Sequence, residues 1–572
     1  MAAGAWRAER GLAMAERGRG QRWGHGREAM ERSGELAGGG ARFFSSARWW
    51  HAALRCLGDA DAAAADARLL LHDYEKLTTF SSPSPAPSVA VVPTVSEQLL
   101  RAWELVRTAV VVPLLWATVL LCVAMSVIVL AEKLLLGSVS SVVKLLRRRP
   151  AKLYRCDPIV ADEETGGSAA FPMVLVQIPM YNEKEVYQIS IGSACRLTWP
   201  ADRLIVQVLD DSTDEFIKEL VKAECDKWSQ RGINVRYESR KDRAGYKAGN
   251  LRAGMRHAYV QGCEFVAIFD ADFQPAPDFL VRTIPFLVHN PRLALVQTRW
   301  MFVNAKSCLL TRMQKMSMDY HFKVEQEAGS SLCSFFGYNG TAGVWRTQAI
   351  VESGGWDDRT TAEDMDLALR AGLRGWEFVY VGSIKVNSEL PSTMKAYRSQ
   401  QRRWSCGPAL LFKKMFWDIL TAKNVSFFKK FYMIYDFFIA RRIVSTFFSF
   451  MFFSIVLPLS ILFPEVKVPA WEVMYIPTAI TLLNCVGNPR SIHLILPWVL
   501  FENVISLLRF KAMLIGFFEA GGVNEWIVTQ KLGNVQKLTP IVRVAKKFHF
   551  RERYHRNTYM HQMHSILAQH QF

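Results

Sequence analysis

The sequence predicts an α/β domain on a mostly parallel sheet, inserted between transmembrane helices. Three observations carry this. Between residues 170 and 390, short apolar runs rich in β-branched residues alternate with helical patterns of 10 to 15 residues, the signature of βαβ units. Ala109 to Ala131 runs for 23 residues without a charge. After residue 420 strongly apolar, Phe-rich stretches return.

The composition agrees. Half of the 572 residues are hydrophobic and 12% are aromatic, which excludes a disordered chain and argues against an ordinary soluble enzyme. The excess of 70 Lys and Arg over 52 Asp and Glu suits an anionic membrane surface, a nucleic acid or a phosphorylated substrate. No zinc-finger, RRM or KH signature accompanies it, so no nucleic-acid partner is expected. The ten cysteines contain no CxxC pair. They support neither a zinc site nor a disulfide framework, and read as small buried hydrophobes in a reducing compartment.

Residues 1–95 are rich in Ala, Gly and Arg and close in a Ser/Pro linker, Ser81 to Pro93. The stretch ending Arg42-Phe43-Phe44-Ser45-Ser46 resembles a transit peptide, but five acids before residue 36 oppose that. A low-complexity extension is the expectation. Residues 96–150 hold the first span and a basic juxtamembrane segment. At about 1.5 Å per residue the uncharged run crosses a bilayer core. Lys133, Lys144 and Arg147 to Arg149 come after it, against Arg101 and Arg107 before it. The positive-inside rule then places the chain beyond residue 132 on the cytosolic side. On that side Asn339-Gly340-Thr341 and Asn424-Val425-Ser426 are chance matches to the glycosylation pattern.

Residues 151–420 form the α/β domain. Val174 to Val176, Leu204 to Leu209, Val235 to Tyr237 and Phe265 to Phe269 read as strands, with Asp214 to Gln230 and Lys247 to Tyr259 as helices. Residues 421–520 return to the membrane. Ile443 to Phe463 is a clear span and Trp471 to Val486 a shorter one. Ile492 to Phe518 is interrupted by Glu502, Arg509 and Lys511, so an interfacial or broken segment is expected there. Residues 521–572 are a basic, polar tail.

Four clusters carry chemistry: Asp210-Asp211-Ser212-Thr213-Asp214, Asp270-Ala271-Asp272, Thr361-Ala362-Glu363-Asp364, and Gln400-Gln401-Arg402-Arg403-Trp404. Singly each has a plain structural explanation. Asp214 suits a helix N-cap, Asp-x-Asp is common in surface loops, and an Arg-Trp pair often stacks. Together they fall beyond strand ends, where ligands of parallel sheets bind. The two carboxylates Asp270 and Asp272 make a hard oxygen site for Mg²⁺ or Mn²⁺ alongside substrate phosphates. A further carboxylate could then act as a base.

These clusters, lying between membrane helices, resemble the processive family 2 glycosyltransferases. Gln177 to Glu183, Arg243 to Gly249, Phe336 to Gly343 and Ser405-Cys406-Gly407-Pro408 narrow the resemblance to the plant cellulose synthase-like A proteins, over roughly residues 95 to 535. The resemblance implies a GT-A type domain in a multi-pass Golgi membrane protein. It also implies a glucomannan 4-β-mannosyltransferase that inverts GDP-mannose (with some GDP-glucose) onto a growing β-1,4 chain of cell-wall hemicellulose. In that reading Asp210 and Asp211 hold the nucleotide, and Asp211 counts with Asp364 as catalytic. Asp270 and Asp272 bind the metal and sugar diphosphate, and Lys247 adds a phosphate contact. Asp364 is the general base. Gln400, Arg403 and Trp404 line the acceptor end, with Arg403 on the diphosphate. The sister C group, which uses UDP-glucose for the xyloglucan backbone, shares most of these strings, and Ser405-Cys406 favours the A group. The tail after Gly533 departs from the family's closing hydrophobic hairpin, which leaves an impaired isoform acting as a scaffold as another alternative. A transporter would leave the ordered carboxylates unexplained.

Overall fold

The computed structural model describes residues 94–160 and 167–519. The expectations for the N-terminal extension, its linker and the polar tail lie outside the described residues. The chain divides into Met1–Gln98 and Leu99–Phe572. The described residues of the first unit are one short helical stretch, and the α/β domain and the longer helices belong to the second.

The α/β domain carries a seven-stranded sheet: β1 (Val174–Met180), β2 (Leu204–Asp210), β3 (Val235–Ser239), β4 (Phe265–Ile268), β5 (Leu293–Phe302), β6 (Gly343–Arg346) and β7 (Glu377–Ser388). Their order is β3-β2-β1-β4-β6-β5-β7. Every neighbouring pair is parallel except those of β6, which runs antiparallel to β4 and β5. The four strands read from the sequence are β1 to β4. β1, β2 and β4 were legible because both faces are covered, which demands near-continuous apolar runs, whereas β3 is an edge strand and only partly buried. Leu175 and Ile205 enter one core cluster while Val174, Val176 and Val206 enter the other.

The chain winds outward from β1 through β2 to β3, then returns to β4 on the other side of β1. A ligand of such a sheet sits at that reversal, beyond the carboxyl ends of the strands. Helix α2 (Glu215–Ser229) follows β2, and α3 (Tyr246–Gly254) follows β3. A buried glutamine pair seats α3. Gln177 donates to Gln207 (2.9 Å), which donates to the Gly254 carbonyl (3.0 Å). A Cβ at Gly254 would lie 2.7 Å from the Gln207 Oε1, so only glycine lets α3 approach this closely. Helix α4 (Glu363–Leu373) carries a buried ion pair on its core side, where Asp366 accepts from Arg359 and from Arg370 (2.8 Å).

Three helical stretches are long and apolar enough to cross a membrane: Val95–Leu145 (α1), Phe427–Leu462 (α6) and Pro489–Phe518 (α8). Between them lie the amphipathic α5 (Met394–Thr421), ahead of α6, and the short α7 (Ile476–Asn484). The break expected in the last stretch is not found, since Ile495–Phe518 is one uninterrupted helix. Glu502 and Arg509 lie two turns apart and pair with each other. Arg509 also donates to Gln401 (2.9 Å) and Tyr397 (3.1 Å) of α5. Those two charges therefore satisfy each other against protein. The nine described cysteines form no disulfide with one another, and none is fully exposed.

Candidate active site

A cavity of about 570 Å³ opens at the carboxyl ends of β1, β2 and β4. Its lining includes Asp211, Lys247, Asp270, Asp272, Glu363, Asp364, Gln400, Arg403 and Trp404. The four sequence clusters thus converge on one space. Asp210 is the exception among the predicted residues. It is fully buried at the end of β2, accepting from the Ser212 amide (2.9 Å) and the Tyr237 hydroxyl (3.1 Å). It shapes the loop instead of lining the cavity. Asp214 is an N-cap, accepting from the Phe216 amide (3.0 Å) to open α2.

Asp211 reaches the cavity through a two-point pair with Arg240, Nε to Oδ1 at 2.9 Å and a terminal nitrogen to Oδ2 at 2.5 Å. Burial pushes its carboxyl up, with Arg240 pulling it back. Asp272 is fixed from β7, its Oδ2 accepting from Ser388 Oγ (2.8 Å) and the Glu389 amide (3.3 Å). The Asp270 amide donates to Thr341 Oγ1 (2.9 Å). Thr341 is itself fully buried and Asn339 lies within hydrogen-bond distance of His321 (3.0 Å), so Asn339 to Thr341 is a structural turn at the site.

Lys247, on the first turn of α3, is not the solvated helix-start lysine its position also permits. Its Nζ donates to Asp270 Oδ1 (2.5 Å) and to the Gly340 carbonyl (2.9 Å). Burial works against its charge, but Asp270 and then Glu363 outweigh it and hold Lys247 above the usual lysine range. Glu363 and Asp364 open α4, where the helix dipole favours carboxylates. The Met365 amide donates to Asp364 Oδ1 (2.7 Å). Burial pushes Asp364 up to about 6, against Lys247. Burial and then the charge of Asp364 push Glu363 up to about 8. Arg403 faces Glu363, Asp270 and Asp364, while burial lowers its guanidinium from the usual arginine range.

Helical geometry sorts the last cluster. Gln400, Arg403 and Trp404 stand at i, i+3 and i+4 of α5 and so share one face, the one on the cavity. Gln401 points elsewhere, to Arg509. The same rule separates Asp364 from Asp366, about 200° apart on α4, one on the cavity and one in the core. Beyond the site the cavity continues among Glu132, Phe448 and Trp498 of the membrane helices.

Gly340 lies within the stretch Phe336 to Gly343, and the sequence assigned it no role. Its φ of +79° is left-handed, and a Cβ there would lie 2.9 Å from Asp364 Oδ2 and 3.4 Å from Lys247 Nζ. Gly340→Ala should therefore lower turnover by about 100-fold, the cost of a misplacement of about 1 Å, with only a modest drop in melting temperature in detergent from the strain of alanine at a left-handed φ. Turnover within threefold of the parent, about 0.7 kcal/mol, would show that Asp364 tolerates displacement. Tyr181, Glu183 and Arg243 also line the cavity, and side-chain type alone gave them no role either.

Asp270 and Asp272 supply hard oxygen donors with no Cys or His at the position, the chemistry of Mg²⁺ or Mn²⁺. Among the described residues no group of three ligating side chains comes together. Phosphate oxygens and water would complete the sphere, as is usual for Mg²⁺. The residues present fit such an ion.

Two family models match the chain: Glycosyl transferase family 2 over residues 175–340 and Glycosyl transferase family group 2 over residues 265–484. A probable glucomannan 4-beta-mannosyltransferase 6 of Oryza sativa subsp. japonica is 76% identical over 81% of this chain and 81% of its own. Glucomannan 4-beta-mannosyltransferase 1 of the same plant is 60% identical, over 77% of this chain and 84% of its own. Glucomannan 4-beta-mannosyltransferase 2 of Arabidopsis thaliana is 59% identical, over 79% and 85%. Among solved structures, a mannosyltransferase from Pyrobaculum calidifontis in complex with GDP-Man and Mn²⁺ aligns with a TM-score of 0.46 at 17% identity, covering 69% of this chain and 99% of that one.

Proposed function

This chain belongs to the glucomannan 4-beta-mannosyltransferases, and from that premise we propose that it polymerises mannosyl residues from GDP-mannose into a β-1,4-mannan or glucomannan backbone. The reaction is an inverting transfer at a multi-pass Golgi membrane protein. The single observation that carries it is the placement of Asp364: half-buried, raised to about 6, at the head of α4 and facing Lys247 and Arg403 across one cavity.

Each residue has a chemical task in this reading. Asp364 takes the proton from the acceptor 4-hydroxyl as that oxygen attacks the anomeric carbon. Glu363, neutral near pH 7, adds no second negative charge beside it. Lys247 and Arg403 face the diphosphate as its charge grows on leaving. Gln400 and Trp404 line the acceptor end, where the indole offers an apolar face to a sugar ring. Asp211 sits on the nucleotide side. A divalent ion held by Asp270 and Asp272 would neutralise the leaving diphosphate.

The test is the product. Purified full-length protein given GDP-mannose should make alkali-insoluble polymer that a β-1,4-mannanase digests to oligosaccharides. Polymer made only from UDP-glucose, and digested only by a glucanase, would replace the mannan reading by the glucan one. A protein that makes no polymer from either donor would leave the scaffold reading standing.

A pH dependence follows from the base. Asp364 must be ionised, so transfer at saturating donor should fall as pH drops through about 6. Titrations of adjacent carboxylates belong to the pair, so the limb reports Glu363 and Asp364 together. Rates measured between about pH 5 and about 8 that stay flat would place the base elsewhere.

A further inference from the structure

We infer that Arg243 selects the base of the nucleotide donor, recognising guanine and discriminating against uracil; this rests on the proposed mannosyltransferase activity. The topology divides the site. Asp270, Asp272 and Lys247 hold the diphosphate side beyond β4, so the base falls toward β1, β2 and β3, whose ends carry Tyr181, Asp211 and Arg243. Two arginines stand there and only one has donors to offer. Arg240 is committed to Asp211 and to the carbonyls of Ala244 and Tyr246. Arg243 lies with its Cζ 3.4 Å from the centre of the Tyr181 ring and 5.2 Å from that of Tyr246. Its buried Nε has no hydrogen-bond partner among the described residues.

Stacking against Tyr181 fixes the plane of the guanidinium and leaves its N–H groups pointing edge-on. An in-plane fork of donors matches two adjacent acceptors. Guanine presents such a pair, O6 and N7, and accepts a bidentate arginine there. Uracil offers a single carbonyl beside a C–H on the corresponding edge and can accept only one of the two bonds. The nearby Asp211 carboxylate, which feels the charge of Arg243, keeps the cation from standing alone before the donor arrives.

The test uses full-length protein in detergent and the inhibition constants of GDP, UDP and 7-deaza-GDP, which lacks the N7 acceptor. Wild type should prefer GDP to UDP, and should bind 7-deaza-GDP about 10-fold more weakly than GDP, a loss on the scale of one bidentate base contact. Arg243→Gln should weaken GDP about 10-fold or more, leave UDP nearly unchanged and no longer distinguish GDP from 7-deaza-GDP. Arg243→Lys, with one point of charge, should not restore the preference. Equal weakening of GDP and UDP would make Arg243 a phosphate contact or a structural residue, and overturn the inference. So would wild type binding 7-deaza-GDP as tightly as GDP, a result that needs no variant to fold. A wild type that prefers UDP would instead overturn the mannosyltransferase reading on which the inference stands.

Discussion

Asp364→Asn is expected to remove about 2 to 4 orders of magnitude of mannosyl transfer, the range of a general base, while GDP binding stays within about twofold of wild type. The geometry separates the two effects. Asn keeps the shape and keeps an oxygen to accept from the Met365 amide, so α4 should start as before. What it loses is the capacity to take a proton. Glu363 is the obvious substitute, one residue away. It is nearly fully buried and pushed up to about 8, so near pH 7 it is mostly protonated and a poor acceptor. Removing the charge of Asp364 would also relieve part of what raises Glu363, and a small residual rate with a shifted pH limb would be the sign of that. Turnover near the parental value, with the fold intact, would move the base elsewhere.

How much of the fold and the site was legible in the sequence depended on whether the determinant was local. β1, β2 and β4 were readable because burial on both faces forces apolar runs, and the carboxylates beyond β2 and β4 were readable because they directly follow those runs. β6 is four residues long and antiparallel, with no periodicity of its own, and it was missed. The charges in α8 looked costly although Glu502 and Arg509 pair two turns apart on one helix, because the rest of what satisfies Arg509 is remote: it meets Gln401, 108 residues away in sequence. Likewise Lys247 was readable as a candidate, but the 2.5 Å contact with Asp270 that separates it from a surface lysine spans 23 residues. Asp210 failed for the opposite reason. Adjacent to Asp211 and of identical chemistry, it is turned into the fold by the Ser212 amide and Tyr237, a choice that side-chain type cannot encode.

The other large effect is expected from chelation. EDTA should reduce transfer by at least about 100-fold, since a bound cation supplies several kcal/mol of charge stabilisation, and added Mn²⁺ or Mg²⁺ should restore it. Asp270 and Asp272 are a sparse pair of ligands, so affinity for the ion should be weak without donor and strengthen when phosphate oxygens join them. Calorimetry with Mn²⁺ in the absence and presence of GDP separates these states without reading activity. Asp272→Asn should weaken that coupled binding. Because Ser388 and the Glu389 amide both donate to the same oxygen of Asp272, Oδ2, an amide in its place can keep both bonds with its carbonyl oxygen and turns its NH₂ to the side where the ion would bind. Asp270→Asn differs in kind. It removes the negative charge that faces Lys247, whose ammonium then keeps a neutral amide oxygen, the Gly340 carbonyl and the carboxylates of α4. The two variants should therefore diverge: Asp272→Asn rescued in part by high Mn²⁺, Asp270→Asn not. Transfer that persists undiminished in chelator would take the ion out of the reaction, and would leave Lys247 and Arg403 to balance the diphosphate by themselves.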